Sequence, residues 1–163
     1  MLLYLVLFPL VLLLLMGTFF IVKQQTAAII ERFGKFTSVR QSGLHIKIPV
    51  IDRVSGRVSL KVQQLDVVVE TKTKDDVFVK LKVSVQFKVI KDKVYDAFYK
   101  LDFPQDQMNA YVFDVVRAEV PKMILDDVFE KKDDIAVAVK AELNDAMTEY
   151  GYDIIKTLVT DID

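Results

Sequence analysis

Residues 71–89, TKTKDDVFVKLKVSVQFKV, show the clearest strand pattern in this 163-residue sequence. From Val77 onward every odd-numbered residue of the segment is apolar, whereas the even positions after Phe78 are Lys, Lys, Ser, Gln and Lys. Strict alternation with a period of two is typical of a strand that buries one face. The turn before the strand is predicted at three polar residues, Lys74, Asp75 and Asp76. We therefore expect a sheet whose odd-numbered face forms the core beneath packed helices.

Extended segments also precede this strand, and residues 23–90 are predicted to be the β-rich part of the chain. The sequence ERFGKF places Gly34 at a hairpin turn, and Pro49 closes a second extended segment. The segment GRVSLKVQQLDVVVET alternates at first and shifts phase after Leu65. Such a shift indicates either a bulge or a turn.

Residues 91–150 have the period of helices. A short apolar helical face begins at Val94. Pro104 suits the first turn of a second helix, with Asp102 as its cap, and Pro121 interrupts that helix. These signals predict at least two consecutive helices after the β-rich part.

A third helix and a final strand complete the predicted domain. The helix is expected to start near Asp133 or Asp134 and to stop at Gly151, and residues 152–162 are predicted to form the closing strand. The resulting order predicts an α+β domain over residues 23–163, with a mixed or antiparallel sheet and packed helices.

The first 22 residues are predicted to be a transmembrane anchor. Leu2 to Val22 contains no charged residue, and about 21 helical residues reach about 30 Å, the thickness of the bilayer's hydrocarbon core. A cleaved signal peptide fits less well, because a basic leading region and a good cleavage site are missing. The residues expected to contact lipid are Leu2, Leu5, Phe8, Leu12, Leu15, Phe19 and Val22.

The residues after the anchor predict its orientation. Four basic residues oppose only Glu31 there: Lys23, Arg32, Lys35 and Arg40. Positive charge next to a membrane span favours the cytoplasmic side. The sequence thus predicts a single-pass membrane protein with a cytoplasmic domain.

Catalytic and metal-binding patterns are not found in the sequence. There is no cysteine, and His45 is the only histidine, which suits a strand side chain better than a catalyst or ligand. The paired carboxylates are sequence neighbours, which diverge instead of converging on one point; they are Asp75-Asp76, Asp126-Asp127 and Asp133-Asp134. A glycine-rich phosphate loop is missing as well. We expect no enzymatic activity, no cofactor and no metal.

The charge is divided unevenly along the chain. Residues 23–100 carry 16 basic and 8 acidic residues, whereas residues 101–163 carry 6 basic and 15 acidic residues. Three lysines lie on the even face of the long strand: Lys80, Lys82 and Lys88. They suit a solvated face, a contact with anionic lipid headgroups or a contact with the acidic half of a neighbouring subunit. Nucleic-acid binding is not expected, because the domain is not basic overall.

The order of several motifs resembles the stomatin/prohibitin/flotillin/HflK-HflC superfamily, also called band-seven or SPFH. These motifs are IERFGKF, SGLHIKIPVIDRV, VQQLDVVVETKTKDDVFV, AYVFDVVRAEVPKMILDDVFEKKDDIAVAVKAEL and YGYDIIKTLVTDI. Within the superfamily, VQQLDV, ETKTKD, DAFYKL and LDDVFEKK are most similar to the plant hypersensitive-induced reaction proteins and their microbial stomatin-like relatives. The resemblance implies an SPFH, or prohibitin-homology, domain.

The resemblance also implies a function. It implies a non-enzymatic scaffold that forms homo-oligomeric rings or arcs on a lipid bilayer and organises a membrane microdomain. The alternative is a regulatory adaptor for a membrane protease of the FtsH type or another membrane client. Two departures from the family pattern are visible: Leu2 stands where acylation would need Gly, and the usual coiled coil after the last strand is absent from the sequence. The chain is thus expected to be either a fragment or a protein that assembles with less help.

Overall fold

The computed structural model describes residues 2–163, with side chains from Leu3 onward. The chain forms two compact units. Unit 1 ends at Lys61, and unit 2 covers Val62–Asp163. The elements of unit 1 are α1 (Leu2–Thr18), β1 (Phe19–Val22), β2 (Thr26–Arg32), β3 (Lys35–Arg40), β4 (Gly43–Ile46) and β5 (Asp52–Ser59).

Unit 1 contains two small antiparallel sheets. Strand β2 lies between β3 and β5, and its register with both neighbours shifts near Ile30. Strands β1 and β4 form a separate two-stranded ribbon. The predicted hairpin turn is confirmed at Phe33-Gly34, which connects β2 to β3 with φ angles of 50° and 78°. This left-handed pair is the geometry that tight two-residue hairpins require.

The predicted transmembrane helix over residues 1–22 is corrected by the structure. Helix α1 ends at Thr18, and Phe19–Val22 pair as β1 with β4 instead of continuing the helix. Seventeen residues extend about 26 Å, which is shorter than a hydrocarbon core of about 30 Å. Among the helices of residues 2–163, none combines the length and apolar character that crossing a bilayer requires. Met1 lies outside the described residues.

Unit 2 contains a three-stranded antiparallel sheet in the order β6-β7-β8. Its strands are β6 (Gln63–Lys72), β7 (Phe78–Val89) and β8 (Tyr152–Ile162). The bulge or turn predicted after Leu65 does not lie there, because β6 runs through Leu65 with an unbroken register to β7. The change of strand and sheet lies earlier, between Ser59 and Gln63. In the register, Gln63 lies opposite Phe87 of β7, and Ile162 lies opposite Leu81.

The prediction that the odd-numbered face of β7 forms the core is confirmed. Six odd-numbered side chains of the strand are buried: Val79, Leu81, Val83, Val85, Phe87 and Val89. Val77 precedes the strand and is partly exposed. Ser84 departs from the polar, exposed pattern, because it is buried and its hydroxyl donates to Asp66 Oδ1 at 2.7 Å.

Four helices accompany this sheet: α2 (Val94–Tyr99), α3 (Pro104–Glu119), α4 (Leu125–Glu130) and α5 (Lys132–Met147). Helices α3 and α5 pack on each other, and α5 packs on β8. Both helices bury a stripe with helical spacing: Met108, Val112, Val116 and Ile135, Val139, Leu143, Met147. The core of unit 2 thus lies between the sheet and these helices.

The helix boundaries differ from the sequence expectation in two places. The N-cap of α3 is Phe103, with φ 53° and ψ 60°, and not Asp102. Helix α4 was not predicted, and its six residues are too few for a periodic pattern to show. The predicted end of α5 near Gly151 is confirmed, with a short 3₁₀ turn before that residue and φ 84° at the glycine.

Candidate membrane and subunit surfaces

Helix α1 presents apolar side chains to its surroundings along its whole described length. Four predicted anchor residues of the helix are exposed: Leu5, Phe8, Leu12 and Leu15. The side chain of Leu2 lies outside the described side chains. Because Leu, Phe and Val have no polar group to offer water, this surface favours an apolar environment such as lipid.

The β1–β4 ribbon extends the apolar surface. In its register Phe19 lies opposite Ile46, and Ile21 lies opposite Leu44. Alternate residues of a strand share a face, so these four exposed side chains lie on one side of the ribbon. Val22, the last predicted anchor residue, is buried and contributes nothing to the exposed surface.

The β1–β4 ribbon was not predicted from the sequence as a separate element. Phe19, Phe20, Ile21 and Val22 were assigned to the helix, because they continue an uninterrupted apolar run. Aromatic and β-branched residues are favoured in strands. The signal that could have revealed β1 was this local composition after Gly17.

His45 lies on the opposite side of the ribbon from this apolar face. Its Nε2 lies 2.6 Å from the carbonyl oxygen of Gln41, and its ring lies 5.7 Å from the ring of Phe20. These contacts are those of a strand side chain with a local hydrogen bond. Among residues 2–163, no group of three histidine or carboxylate side chains has the arrangement of a metal site.

An ion pair joins two strands of unit 1 at one end of the sheet. Arg32 donates from Nε to Asp52 Oδ1 at 2.7 Å and from its terminal nitrogen to Oδ2 at 3.3 Å. The backbone N–H of Ile48 donates to the same carboxylate at 3.0 Å. The hydrogen bond from Arg32 lowers the pKa of Asp52, and that from Ile48 lowers it further. The buried carboxylate thus remains ionised and holds the turn before β5 against the end of β2.

The three lysines proposed as a contact surface lie on the outer face of the sheet in unit 2. Lys82 Nζ lies 3.3 Å from Asp66 Oδ2, and Lys80 Nζ lies 4.0 Å from Glu70 Oε2. Both carboxylates belong to the neighbouring strand β6. Lys88 lies opposite Asp153 of β8 in the register. All three lysines therefore have an acidic neighbour in the same chain, and for Lys80 and Lys82 the charged groups lie within 4.0 Å of each other.

Asp66 is the best connected acidic residue of that face. It accepts hydrogen bonds from Ser84 Oγ at 2.7 Å and from Gln64 Nε2 at 2.8 Å. The hydrogen bond from Ser84 is the main cause that lowers the pKa of Asp66, followed by those from Gln64 and Lys82. This network stabilises the pairing of β6 with β7 and leaves Asp66 as an anion.

The three pairs of adjacent aspartates lie in a turn and at the starts of two helices. The turn residue Asp75 accepts hydrogen bonds from Thr73 Oγ1 and, at 3.1 Å, from the backbone N–H of Leu125. The hydrogen bond from Thr73 is the main cause that lowers its pKa. Asp126-Asp127 and Asp133-Asp134 lie in the first turns of α4 and α5, where a carboxylate interacts favourably with the helix dipole.

The net charge also differs between the two units, which divide at Lys61 and not at the boundary near residue 100 used for the sequence. Unit 1 carries 8 basic and 2 acidic residues, a formal charge of +6. Unit 2 carries 14 basic and 21 acidic residues, a formal charge of −7. Unit 1 therefore combines positive charge with the exposed apolar surface of α1 and the ribbon, which is the combination that anionic membranes attract.

Comparison with known proteins gives one family and several relatives. The model of the SPFH domain / Band 7 family matches residues 20–163. Hypersensitive-induced response protein 4 of Arabidopsis thaliana is 44% identical over 142 residues, which are 86% of this chain and 49% of that protein. Human mitochondrial stomatin-like protein 2 is 28% identical over 142 residues, which are 86% of this chain and 39% of that protein. The chain spans about half the length, or less, of these relatives.

Proposed function

Because the chain belongs to the SPFH domain / Band 7 family, we propose that it is a non-enzymatic, membrane-attached scaffold that oligomerises and organises a membrane microdomain. Members of this family are membrane-associated scaffolds that oligomerise. The observation that carries the proposal is the apolar surface of α1 and the β1–β4 ribbon on a unit of charge +6. We name this surface the membrane face; its ribbon residues are Phe19, Ile21, Leu44 and Ile46.

Attachment can be tested by flotation of the full chain with vesicles. Phe8→Asp combined with Leu12→Asp places two charges on the exposed side of α1. A charged carboxylate is costly to move from water into an apolar environment. The variant is expected to leave the vesicle fraction. Phe129→Asp, at an exposed phenylalanine of unit 2, is the matched control and is expected to float like the parent chain.

Oligomerisation is proposed to bring the basic unit 1 of one copy against the acidic unit 2 of the next. Such a contact joins two different surfaces, so that it generates rings or open arcs instead of closed dimers. The opposite charges of the units support it. Electron microscopy of the protein in vesicles is expected to show rings or arcs. Mass photometry of the detergent-extracted protein that finds only monomers, at low and at high salt, would contradict this part of the proposal.

The second candidate function of the chain is that of an adaptor, which binds a membrane protease or another membrane client. The exposed aromatic rings of unit 2 favour it: Phe78, Phe103 and Phe129. Exposed aromatic residues are enriched where proteins bind each other. Co-purification of a protease with the parent chain, and its loss on Phe103→Ser, would support the adaptor. Equal recovery of the protease with the parent chain and with the Phe103→Ser variant would argue against a contact at Phe103.

A further inference from the structure

Two turns of unit 1 expose large apolar side chains in an unfavourable backbone conformation. Phe33 has φ 50° and is 84% exposed, and Val50 has φ 72° and is 93% exposed. The left-handed region costs an ordinary residue about 1–2 kcal/mol, and it is a rare conformation for a β-branched side chain. Both residues thus combine backbone strain with an apolar side chain that is exposed to water.

The two turns are held side by side. Arg32, which precedes Phe33, pairs in the register with Asp52 and forms the two-bonded ion pair with it. The turn containing Val50 is closed by the Asp52 N–H donating to the Ile48 carbonyl at 2.9 Å. The Ile48 N–H in turn donates to the Asp52 carboxylate at 3.0 Å. One carboxylate therefore fixes the hairpin turn and the Val50 turn to each other.

The Val50 turn lies beside the end of α1. The Lys47 N–H donates to the carbonyl oxygen of Thr18, the last residue of the helix, at 2.8 Å. A Cβ atom added at Gly17 would lie 3.4 Å from Cβ of Pro49. When α1 contacts the hydrocarbon of a bilayer, the Val50 turn therefore lies at the same depth as the C-terminal end of α1.

The charges around the two turns match an anionic surface. Residues 32–36 and 47–53 contain four basic residues and one acidic residue: Arg32, Lys35, Lys47, Arg53 and Asp52. Asp52 is already engaged by Arg32. Basic residues near an anionic leaflet each contribute about 1 kcal/mol to binding.

We propose that Phe33 and Val50 enter the interfacial region of an anionic bilayer and form a second membrane contact beside α1. This inference rests on the proposed membrane attachment and adds a specific lipid contact to it. Lipid removes both apolar side chains from water, and the Arg32–Asp52 pair keeps the two turns aligned for joint insertion. The basic side chains around them then lie at the level of the headgroups.

The natural absence of tryptophan makes the inference testable with single-tryptophan variants of the full chain. Phe33→Trp and Val50→Trp report on the two turns, and Leu12→Trp reports on α1. Phe103→Trp is the matched control, since Phe103 is also a phenylalanine with φ 53° and 74% exposure, but belongs to unit 2. Circular dichroism checks that every variant keeps the parent fold.

The variants are bound to phosphatidylcholine/phosphatidylserine vesicles that contain brominated phosphatidylcholine, which quenches nearby tryptophan. We expect quenching and a blue shift for Phe33→Trp and Val50→Trp, strongest with bromine near the headgroup, and neither effect for Phe103→Trp. Quenching of Leu12→Trp without quenching of either turn variant would overturn the inference and leave membrane attachment intact. No quenching at all four positions would overturn both. Equal quenching of Phe103→Trp would overturn the assignment to these turns.

A second measurement uses the partition of the full chain between buffer and vesicles. Phe33→Ser with Val50→Ser is expected to lower the partition coefficient roughly tenfold, because two apolar side chains leave the bilayer. Phe103→Ser is expected to leave it unchanged. Equal partition of the parent chain and the double variant would also overturn the inference.

Discussion

Unit 1 and unit 2 both contain a three-stranded antiparallel sheet, yet they place large apolar side chains differently. Unit 2 buries the odd face of β7 beneath α3 and α5, so that its sheet has a complete core. Unit 1 buries mainly small residues and Ile29 and Ile30 of β2, and exposes the membrane face and the Phe33 and Val50 turns. Unit 2 is thus stabilised by its own packing, whereas unit 1 leaves a large apolar surface exposed.

The largest effect is expected in the core of unit 2. Phe87 and Phe78 lie on the same strand, but Phe87 is 2% exposed and Phe78 is 71% exposed. Phe87→Ala is expected to lower the free energy of unfolding by about 3–5 kcal/mol, because it leaves a cavity. Phe78→Ala is expected to change it by about 0.5 kcal/mol or less. Urea unfolding followed by circular dichroism measures both, and similar values would contradict the described burial.

Two glycines with positive φ angles differ in how closely they are packed in the two units. Gly151 in unit 2 has φ 84°, and a Cβ atom there would lie 2.5 Å from the carbonyl oxygen of Lys93. Gly34 in unit 1 has φ 78°, with nothing within 4 Å of such an atom. Gly151→Ala is expected to destabilise by about 2–4 kcal/mol through strain and overlap.

Gly34→Ala is expected to cost only the left-handed strain of about 1–2 kcal/mol. Thermal unfolding of the two variants gives the order of the effects. A larger loss for Gly34→Ala than for Gly151→Ala would mean that the turn of unit 1 is more closely packed than described.

The opposite charges of the units predict an effect on lipid binding. Lys35→Gln with Lys47→Gln removes two positive charges next to the Phe33 and Val50 turns. Each charge contributes about 1 kcal/mol, or about fivefold in affinity for anionic vesicles. Lys88→Gln, at the sheet face of unit 2, is the control with unchanged binding. Equal losses for both variants would favour Lys88 as a headgroup contact.

The smallest effect concerns acid stability. The folded-state pKa of Asp52 is lowered by Arg32 and Ile48, so that the unfolded chain binds the proton more readily than the folded one. The contribution of Asp52 to the free energy of unfolding is therefore fully present above the pKa that Asp52 has in the unfolded chain. It is lost as the pH falls through the lower pKa that Asp52 has in the folded chain. Asp52→Asn is expected to reduce the loss of stability between about pH 5 and pH 2. Asp114→Asn, at an exposed position of α3, is the control in acid-unfolding titrations.

The parts of the fold that were predictable from the sequence have strong periodicity. The alternation of β7 and the apolar stripes of α3 and α5 extend over three or more repeats, so that burial and pattern agree. The last strand was predicted at the residues where β8 lies, because Gly151 marks the helix end clearly. In these segments the local sequence preference and tertiary packing favour the same structure.

Other features depend on contacts that a linear pattern does not contain. The change from α1 to β1 lies inside a continuous apolar run, where only the aromatic and β-branched residues after Gly17 favour a strand. Pairing with β4 is what defines the strand. The left-handed conformations of Phe33, Val50 and Phe103 oppose the preference of these residues. The partners of Lys80 and Lys82 lie on the preceding strand β6, 10 and 16 residues earlier in the chain. The candidate site was therefore only partly predictable.

The register of β6 and β8 on β7 has a mechanical consequence. Both strands run antiparallel to β7, so the chain enters the sheet at Gln63, beside Phe87, and leaves it at Ile162, beside Leu81. These positions lie about 20 Å apart along the strand direction. Tension applied between the two strand ends pulls β6 and β8 in opposite directions along their axes. The interstrand hydrogen bonds lie perpendicular to that pull, so that they are loaded together in shear and do not open one by one. Unit 2 thus has the geometry of a force-resistant link.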